Sequence, residues 1–368
     1  MALADGVTRR EFLHSAGLIA AASAAPSLAW TVGSGKPLRT VILKPGFANL
    51  QHSKAWFDGL MLALRRQPDI DLSVRELPAS TAAQVGEIAA AAKAGAQLVV
   101  SAISPRQIEA VAKNLAASGC LFFNVEPGAQ VLASAPARVY SHSLQLWQAA
   151  AAMGRQGVRE HGERAAMLAS FRESGYDTLT AFDQGVEASG GRVVVQRIAG
   201  IPGGEHRMQR LLKGLHAEPA DFLFVAAHGD ELHALQEASA GRRIFGPLPN
   251  SGGAKPEAAF ARSYARAYGH APDAFALLGF EAGALLADAS ARMQADGLSP
   301  SAALAAARID GPRGRVLMNP HTRQTTAPGF VDARGGPLAG LIPFEDVNLL
   351  AHARWTAAVS GWTTAYAV

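Results

Sequence analysis

The chain has 368 residues, 49% of them hydrophobic and 17% charged, and its formal net charge is +4. The hydrophobic content excludes a disordered chain, and the length predicts two domains or one large α/β unit. The single cysteine, Cys120, excludes an intrachain disulfide and any metal or cluster site built from several cysteines. Lysines and arginines form no dense patch with interleaved aromatic residues, so we expect no nucleic-acid partner.

The first 29 residues have the pattern of an export signal, and we assign residues 1–29 to a signal peptide. Arg9 and Arg10 precede an apolar stretch at 16–25, and 27–29 forms a small-x-small cleavage site. The arginine pair resembles the signal of the twin-arginine export route. The apolar stretch is shorter than the about 20 residues of a membrane span, and no cysteine lies near the cleavage site. We therefore expect a soluble periplasmic protein without a lipid anchor, in which the thiol of Cys120 is buried.

Downstream of this signal, short apolar runs alternate with helical patterns as far as residue 245. Strands separated by single helices form βαβ units and parallel sheets. About ten such units exceed the usual width of one sheet, so the predicted fold class is α/β with two doubly wound parallel-sheet lobes. The predicted strands are 40–43, 72–77, 97–100, 120–123, 165–169, 192–197, 222–227 and 244–245, and the predicted helices are 56–66, 82–94, 108–117, 146–161, 177–188, 208–215 and 232–238.

The alternation stops after residue 255. Two helices are predicted nearly back to back, at 256–268 and 273–295, and short strand candidates follow at 315–317 and 329–331. The C-terminal extension, 347–368, fits no unit and stays unassigned.

Motifs for catalysis or cofactor binding are missing from the sequence. It contains no Gly-x-Gly-x-x-Gly after a strand, no Gly-x-x-x-x-Gly-Lys-Ser/Thr, and no Gly-x-Ser-x-Gly at a strand–helix turn. The best metal-like cluster runs from His228 to His233, but its spacing matches no zinc signature, and Asp230 within it suits a helix N-cap. We therefore expect a protein that is not an enzyme, with no cofactor, no metal and no catalytic residue.

Four spaced segments between residues 38 and 345 form an ordered set. Residues 94–104 have the pattern of a strand that enters a serine-rich turn before a helix, and 118–129 that of the next strand and its loop. Two helices joined by Pro272-Asp273 lead to 279–282, and 311–322 ends in Asn-Pro-His-Thr. In this order they resemble the type I periplasmic solute-binding proteins of ABC importers, in the leucine/isoleucine/valine- and amide-binding branch. The last segment is most similar to the urea and short-amide binders.

The resemblance implies two lobes joined by three crossovers, with a small-molecule solute in a cleft that closes on binding. The N-terminal lobe would comprise 36–145 plus 256–325, and the C-terminal lobe 146–255 plus 326–346. It also implies an ABC permease and its ATPase at the inner membrane as partners. We expect a monomer.

Candidate solute-binding residues lie where predicted strands end. In doubly wound sheets, ligands bind beyond the carboxyl ends of the strands, where helix N-termini present unpaired N–H groups. Ser101 and Ser104 follow one such strand, and Ser104 caps a helix that opens with Pro105, which is favoured at the first helical position. Arg106 in that helix would favour a carboxylate. The remaining candidates are carried over from the family by position: Phe47, His52, Gly128, Ala129, Gln130, Tyr176, His228 and Asn250.

The loop at 246–250 narrows the class of solute. Amino-acid binders of this family carry an acidic residue there to neutralise the ammonium of the ligand, whereas this loop is Gly-Pro-Leu-Pro-Asn. An unpaired buried ammonium is costly, so an amide, urea or an organic carboxylate is favoured over an α-amino acid. Two alternatives stay open. One is a binding protein that feeds a signalling receptor, and the other is an exported metal-assisted hydrolase that uses His228 and His233.

Overall fold

The computed structural model of the chain describes residues 37–46, 50–65, 67–103, 105–126, 136–170, 178–199, 219–226, 244–245, 255–327, 329–332 and 341–344. The strands are β1 (Leu38–Lys44), β2 (Ile70–Glu76), β3 (Leu98–Ser101), β4 (Leu121–Glu126), β5 (Val139–Ser143), β6 (Arg164–Ser170), β7 (Arg192–Ala199), β8 (Phe222–Ala226), β9 (Ile244–Phe245), β10 (Arg308–Gly311), β11 (Gly314–Asn319), β12 (Gln324–Thr326), β13 (Gly329–Asp332) and β14 (Leu341–Phe344). The helices are α1 (Leu50–Leu64), α2 (Thr81–Lys93), α3 (Pro105–Leu115), α4 (Leu146–His161), α5 (Thr178–Glu187), α6 (Lys255–Tyr268), α7 (Ala274–Asp296) and α8 (Pro300–Ala305).

The larger sheet has eight strands in the order β10-β11-β12-β5-β4-β3-β1-β2. From β2 to β5 every neighbouring pair is parallel. The strands β10, β11 and β12 pair antiparallel, and β12 joins the edge of β5 in parallel. The order β2-β1-β3-β4-β5 changes direction between β1 and β3, which is the topological switch point of a doubly wound sheet.

The smaller sheet has four parallel strands in the order β7-β6-β8-β9, with its own switch point between β6 and β8. A separate antiparallel pair, β13 and β14, lies beside α4 and β9. The chain leaves the larger sheet after β5, returns to it after β9 and leaves again after β12. The predicted fold class is therefore confirmed: two doubly wound lobes joined by three crossovers.

Apolar side chains fill the space between each sheet and its helices. On one face of the larger sheet, α1, α6 and α7 bury Trp56, Tyr264 and Phe275, and α2 and α3 cover the opposite face. In the smaller sheet, Phe182 of α5 stacks on Phe224 of β8 with 4.3 Å between ring centroids. Cys120 is 1% exposed beneath α3, which confirms the prediction of a buried thiol, and burial raises its pKa to about 11.

Among the described residues, α7 is the one helix long and apolar enough to cross a membrane by length and composition. Of its most apolar window, 72% is buried inside the protein, where the helix packs against α1 and the larger sheet. The Oδ1 atom of Asp273 accepts a hydrogen bond from the Ala276 N–H at 2.8 Å and caps the first turn. The apolar composition of α7 is thus that of a core helix.

Glycines bring α1 and α7 into backbone contact. A Cβ atom on Gly279 would overlap the carbonyl oxygen of Trp56, a backbone atom that cannot rotate away. We expect Gly279→Ala to lower the free energy of unfolding by about 1–3 kcal/mol through overpacking. Gly86 is the matched control, because it is exposed within α2 with open space around its Cβ position.

Replacing Gly86 with Ala should raise the free energy of unfolding by about 0.5–1 kcal/mol, since alanine is the better helix former. Urea denaturation of both variants checks this pair of predictions. Equal effects of the two substitutions would contradict the close approach of α1 and α7.

The structure differs from the predicted elements in places where polar residues are buried. Helix α1 begins at Leu50 instead of residue 56. The apolar pattern missed this start because the first turn buries the polar side chains of His52 and Ser53. The sequence pattern predicts no strand at β5, yet all five of its residues are buried. The candidate at 315–317 is the centre of β11. The predicted helices 208–215 and 232–238 lie outside the described residues.

Candidate functional site

The carboxyl ends of the strands at the two switch points define the candidate site. At such a point, the connections from two neighbouring strands leave on opposite faces of the sheet, and a crevice opens between them. Lys44 and Ser101 end the two strands at this point in the larger sheet, and Ser170 and Ala226 do so in the smaller sheet. These four strands are followed in the sequence by four of the predicted solute contacts: Phe47, Ser104, Tyr176 and His228.

Two buried side chains fix the turn between β3 and α3 at this edge. The Oγ atom of Ser101, which is fully buried, donates a hydrogen bond to the carbonyl of Leu43 at 2.7 Å. The Oδ1 atom of Asn124 accepts one from the N–H of Ile103 at 2.9 Å. The turn is thereby tied to β1 on one side and to β4 on the other. This anchoring holds the N-terminus of α3, with its unpaired N–H groups, at the edge of the sheet.

His52 lies in the first turn of α1, which follows the switch-point strand β1. Its side chain is 7% exposed, and its ring stacks on Phe275 in the first turn of α7, with 3.9 Å between centroids and 15° between planes. The two helices therefore begin side by side at the site. The stack fixes the orientation of the imidazole.

Two charged residues at this edge are absent from the sequence prediction. Lys44, at the end of β1, places its Nζ 2.6 Å from Oε1 of Glu76 and 5.2 Å from the ring centroid of Phe57. Its ion-pair partner Glu76 is largely exposed, so the pair is held weakly. Glu126 ends β4 and is buried. Lys44 and Glu126 are each the charged last residue of a mostly apolar strand. A charge at that position is the sequence feature that could have identified them.

The structure brings His52 and Ser101 to one edge of the larger sheet. The backbone of Arg106 lies in the first turn of α3, and its side chain is outside the described part. The other predicted contacts lie outside the described residues: Phe47, Ser104, Gly128, Ala129, Gln130, Tyr176, His228 and Asn250.

Within the described ranges, no three His, Cys, Asp or Glu side chains come together in a way that could hold a metal ion. His228 and His233, the pair of the hydrolase alternative, lie outside these ranges.

By sequence, no protein-family model and no curated protein matches the chain. By structure, it is similar to ABC-transporter solute-binding proteins. A substrate-binding protein from Sphaerobacter thermophilus superposes with a TM-score of 0.63 at 17% identity, covering 80% of this chain and 93% of that chain. A solute-binding protein from R. palustris, solved in complex with benzoate, gives 0.61 at 18% identity and covers 84% of this chain and 98% of that chain.

A leucine-, isoleucine-, valine-, threonine- and alanine-binding protein from Brucella ovis, in its closed conformation, gives a TM-score of 0.60 at 15% identity. The match covers 84% of this chain and 95% of that chain. At these identities the similarity establishes the fold, which is that of the type I periplasmic binding proteins.

Proposed function

We propose that this chain is the extracytoplasmic solute-binding component of an ABC importer. The observation that carries the proposal is the pair of switch points, one in each sheet, in a chain that crosses between the sheets three times. Such a topology supplies two ligand-binding edges on two bodies that can close on one molecule by a hinge motion. The bound state is then selected by its contacts to both lobes.

The lobes in this proposal are 36–145 plus 256–325 and 146–255 plus 326–346. The solute is held by the residues assigned from the sequence, except that Ser101 acts by fixing the turn between β3 and α3, and it is handed to a permease and its ATPase at the inner membrane. The chain acts as a monomer and needs no cofactor, metal or catalytic residue. The fold similarity to three transport proteins supports this assignment over the hydrolase alternative.

The solute in this proposal is small and polar: an amide, urea or an organic carboxylate. Lys44 at the switch point adds a cation that favours a carboxylate. Benzoate, the ligand of the R. palustris neighbour, belongs to that chemical class. Glu126 at the same edge offers acceptor oxygens for the N–H groups of an amide or urea.

A thermal-shift screen of the mature chain, from Trp30 onward, against amides, urea, small carboxylates and amino acids tests the function. A solute at 100 times its dissociation constant adds about 2.7 kcal/mol to the stability of the folded state, which raises the melting temperature by several degrees. If the ligand is a carboxylate, Lys44→Met should weaken its binding about tenfold or more.

Lys93→Met is the matched control for this substitution. Lys93 is exposed in the last turn of α2, next to the amino end of β3 and thus at the opposite edge of the sheet. Its replacement should leave the affinity unchanged. Equal losses in both variants would show that Lys44 acts through net charge alone, and an unchanged melting temperature with every solute class would contradict the proposed function.

Export by the twin-arginine route is the second part of the proposal. Replacing Arg9 and Arg10 with lysines should retain the precursor in the cytoplasm, because the arginine pair is the feature that resembles this route. Immunoblots of periplasmic and cytoplasmic fractions measure the outcome. Normal export of the lysine variant would point to the general secretory route instead.

A further inference from the structure

A buried ion pair lies beside the first crossover. Arg313, at the tip of the β10–β11 hairpin, is 2% exposed, and Glu281, in the middle of α7, is fully buried. The Nη2 atom of Arg313 donates to Oε2 of Glu281 at 2.6 Å, and its Nε lies 3.0 and 3.1 Å from the two carboxylate oxygens. The pair is therefore a two-pronged, charge-assisted contact within the lobe of the larger sheet.

The same guanidinium also holds the backbone of the crossover. Its Nη2 donates to the carbonyl of Ser143, and its Nη1 donates to the carbonyl of Leu144, both at 3.2 Å. Ser143 ends β5, and Leu144 and Gln145 connect it to α4, which packs on the smaller sheet. Gln145 has a left-handed backbone, with φ of 57°, so the direction of the chain changes just after the two anchored carbonyls.

A histidine connects this pair to a second crossover. His142 is fully buried, with its Nε2 3.4 Å from Oε2 of Glu281 and its Nδ1 2.9 Å from Oγ1 of Thr325. Thr325 belongs to β12, after which the chain leaves the larger sheet again. Two of the three crossovers thus begin at one cluster, formed by His142, Glu281, Arg313 and Thr325, which we call the crossover cluster.

We propose that Arg313 is a positioning residue for lobe closure, an inference that rests on the proposed function. Glu281 holds the guanidinium rigidly, and the guanidinium holds the carbonyls of Ser143 and Leu144, so the chain can pivot only beyond Leu144. The backbone change of closure is then confined to Gln145 and the first turn of α4. Hinges of this kind consist of a few element-terminal residues that absorb a large φ/ψ change.

If the pair of Glu281 and Arg313 only stabilised the fold, its removal would not change the motion of the lobes as long as the protein stayed folded. Replacing both members of a buried ion pair with apolar residues of similar volume is often neutral for stability, because no unpaired charge remains. The double variant Glu281→Leu with Arg313→Met should therefore fold, while the two anchored carbonyls lose their donors. This variant therefore separates the anchoring of the two carbonyls from the stability of the fold.

The experiment measures the interlobe distance in the full mature chain without any solute. Spin labels are placed on Asn114→Cys in α3 and Gln196→Cys in β7, both exposed positions. Cys120 is buried and its pKa is raised to about 11, so the label goes to the introduced cysteines. In the double variant we expect an interlobe distance distribution about twofold wider than in the parent. Amide hydrogens of residues 145–150 should exchange about tenfold faster.

Arg292→Met is the control, because Arg292 pairs with Asp288 on the same helix, away from the crossovers. Its distance distribution should match the parent. A parent-like distribution and parent-like exchange in the folded double variant would overturn the proposal.

If the double variant does not fold, Arg313→Lys gives the same test, because an ammonium can pair with Glu281 but lacks the planar fork that reaches both carbonyls. A parent-like distribution in Arg313→Lys would then overturn the proposal. Since no solute is present, the result does not depend on the solute screen that tests the proposed function.

Discussion

Arg313→Met alone should lower the free energy of unfolding by about 3–5 kcal/mol, because it leaves the carboxylate of Glu281 buried without its cation. The loss extends to the carbonyls of Ser143 and Leu144, which accept hydrogen bonds from the same guanidinium. The double variant Glu281→Leu with Arg313→Met should recover most of this loss, since neither charge remains in the core. Urea denaturation of the single and double variants measures both effects.

Arg292→Met again serves as the control. Its pair with Asp288 is partly exposed, so the change in the free energy of unfolding should stay below about 1 kcal/mol. A double variant as unstable as Arg313→Met would mean that the net attraction between Glu281 and Arg313 exceeds the cost of removing both from water. A single variant as stable as the parent would contradict the burial of the pair.

Most of the fold follows from local patterns that the sequence displays directly. Apolar runs such as those of β3 and β8 are fully buried strands, and the period of apolar residues in α7 together with Asp273 at its start predicts that helix almost to the residue. Local patterns do not predict strand β5. Its last three residues are polar, and they are buried because His142 and Ser143 meet partners that lie more than 130 positions away in the chain.

The candidate site is predictable in its location but less so in its chemistry. The alternation of strands and helices places the site at strand ends, and that is where His52 and Ser101 lie. The contact between Glu281 and Arg313 depends on how a hairpin folds over a helix, which no local pattern encodes. The sequence contains one indication of this contact: Glu281 is the only charged residue in the apolar run 274–286. A lone charge in a core helix predicts a buried partner.

Acidification should destabilise the protein from about pH 6.5 downward through the crossover cluster. Burial lowers the pKa of His142, and Arg313 adds to this effect while Glu281 opposes it. Since this pKa lies below the unfolded value of 6.5, the unfolded chain takes up a proton first as the pH falls. The stabilisation is therefore complete above about pH 6.5 and is lost as the pH approaches the lower, folded value.

Glu281 extends the loss into the acid range. Burial alone would raise its pKa, but Arg313 and His142 outweigh burial and lower it from 4.5 to about 2. Its contribution to stability is full above about pH 4.5 and disappears toward pH 2. The two groups act in the same direction, so the free energy of unfolding should fall steadily from about pH 6.5 downward, first through His142 and below about pH 4.5 also through Glu281.

Urea denaturation at several pH values measures this dependence. His142→Asn should flatten the slope near pH 6, because the amide can still bond to Thr325 but does not take up a proton. His321→Asn, at an exposed turn, is the matched control, and its slope should equal that of the parent. A slope near pH 6 that persists in His142→Asn would locate the proton uptake elsewhere. In that case the crossover cluster would contribute to acid sensitivity only below about pH 4.5, through Glu281.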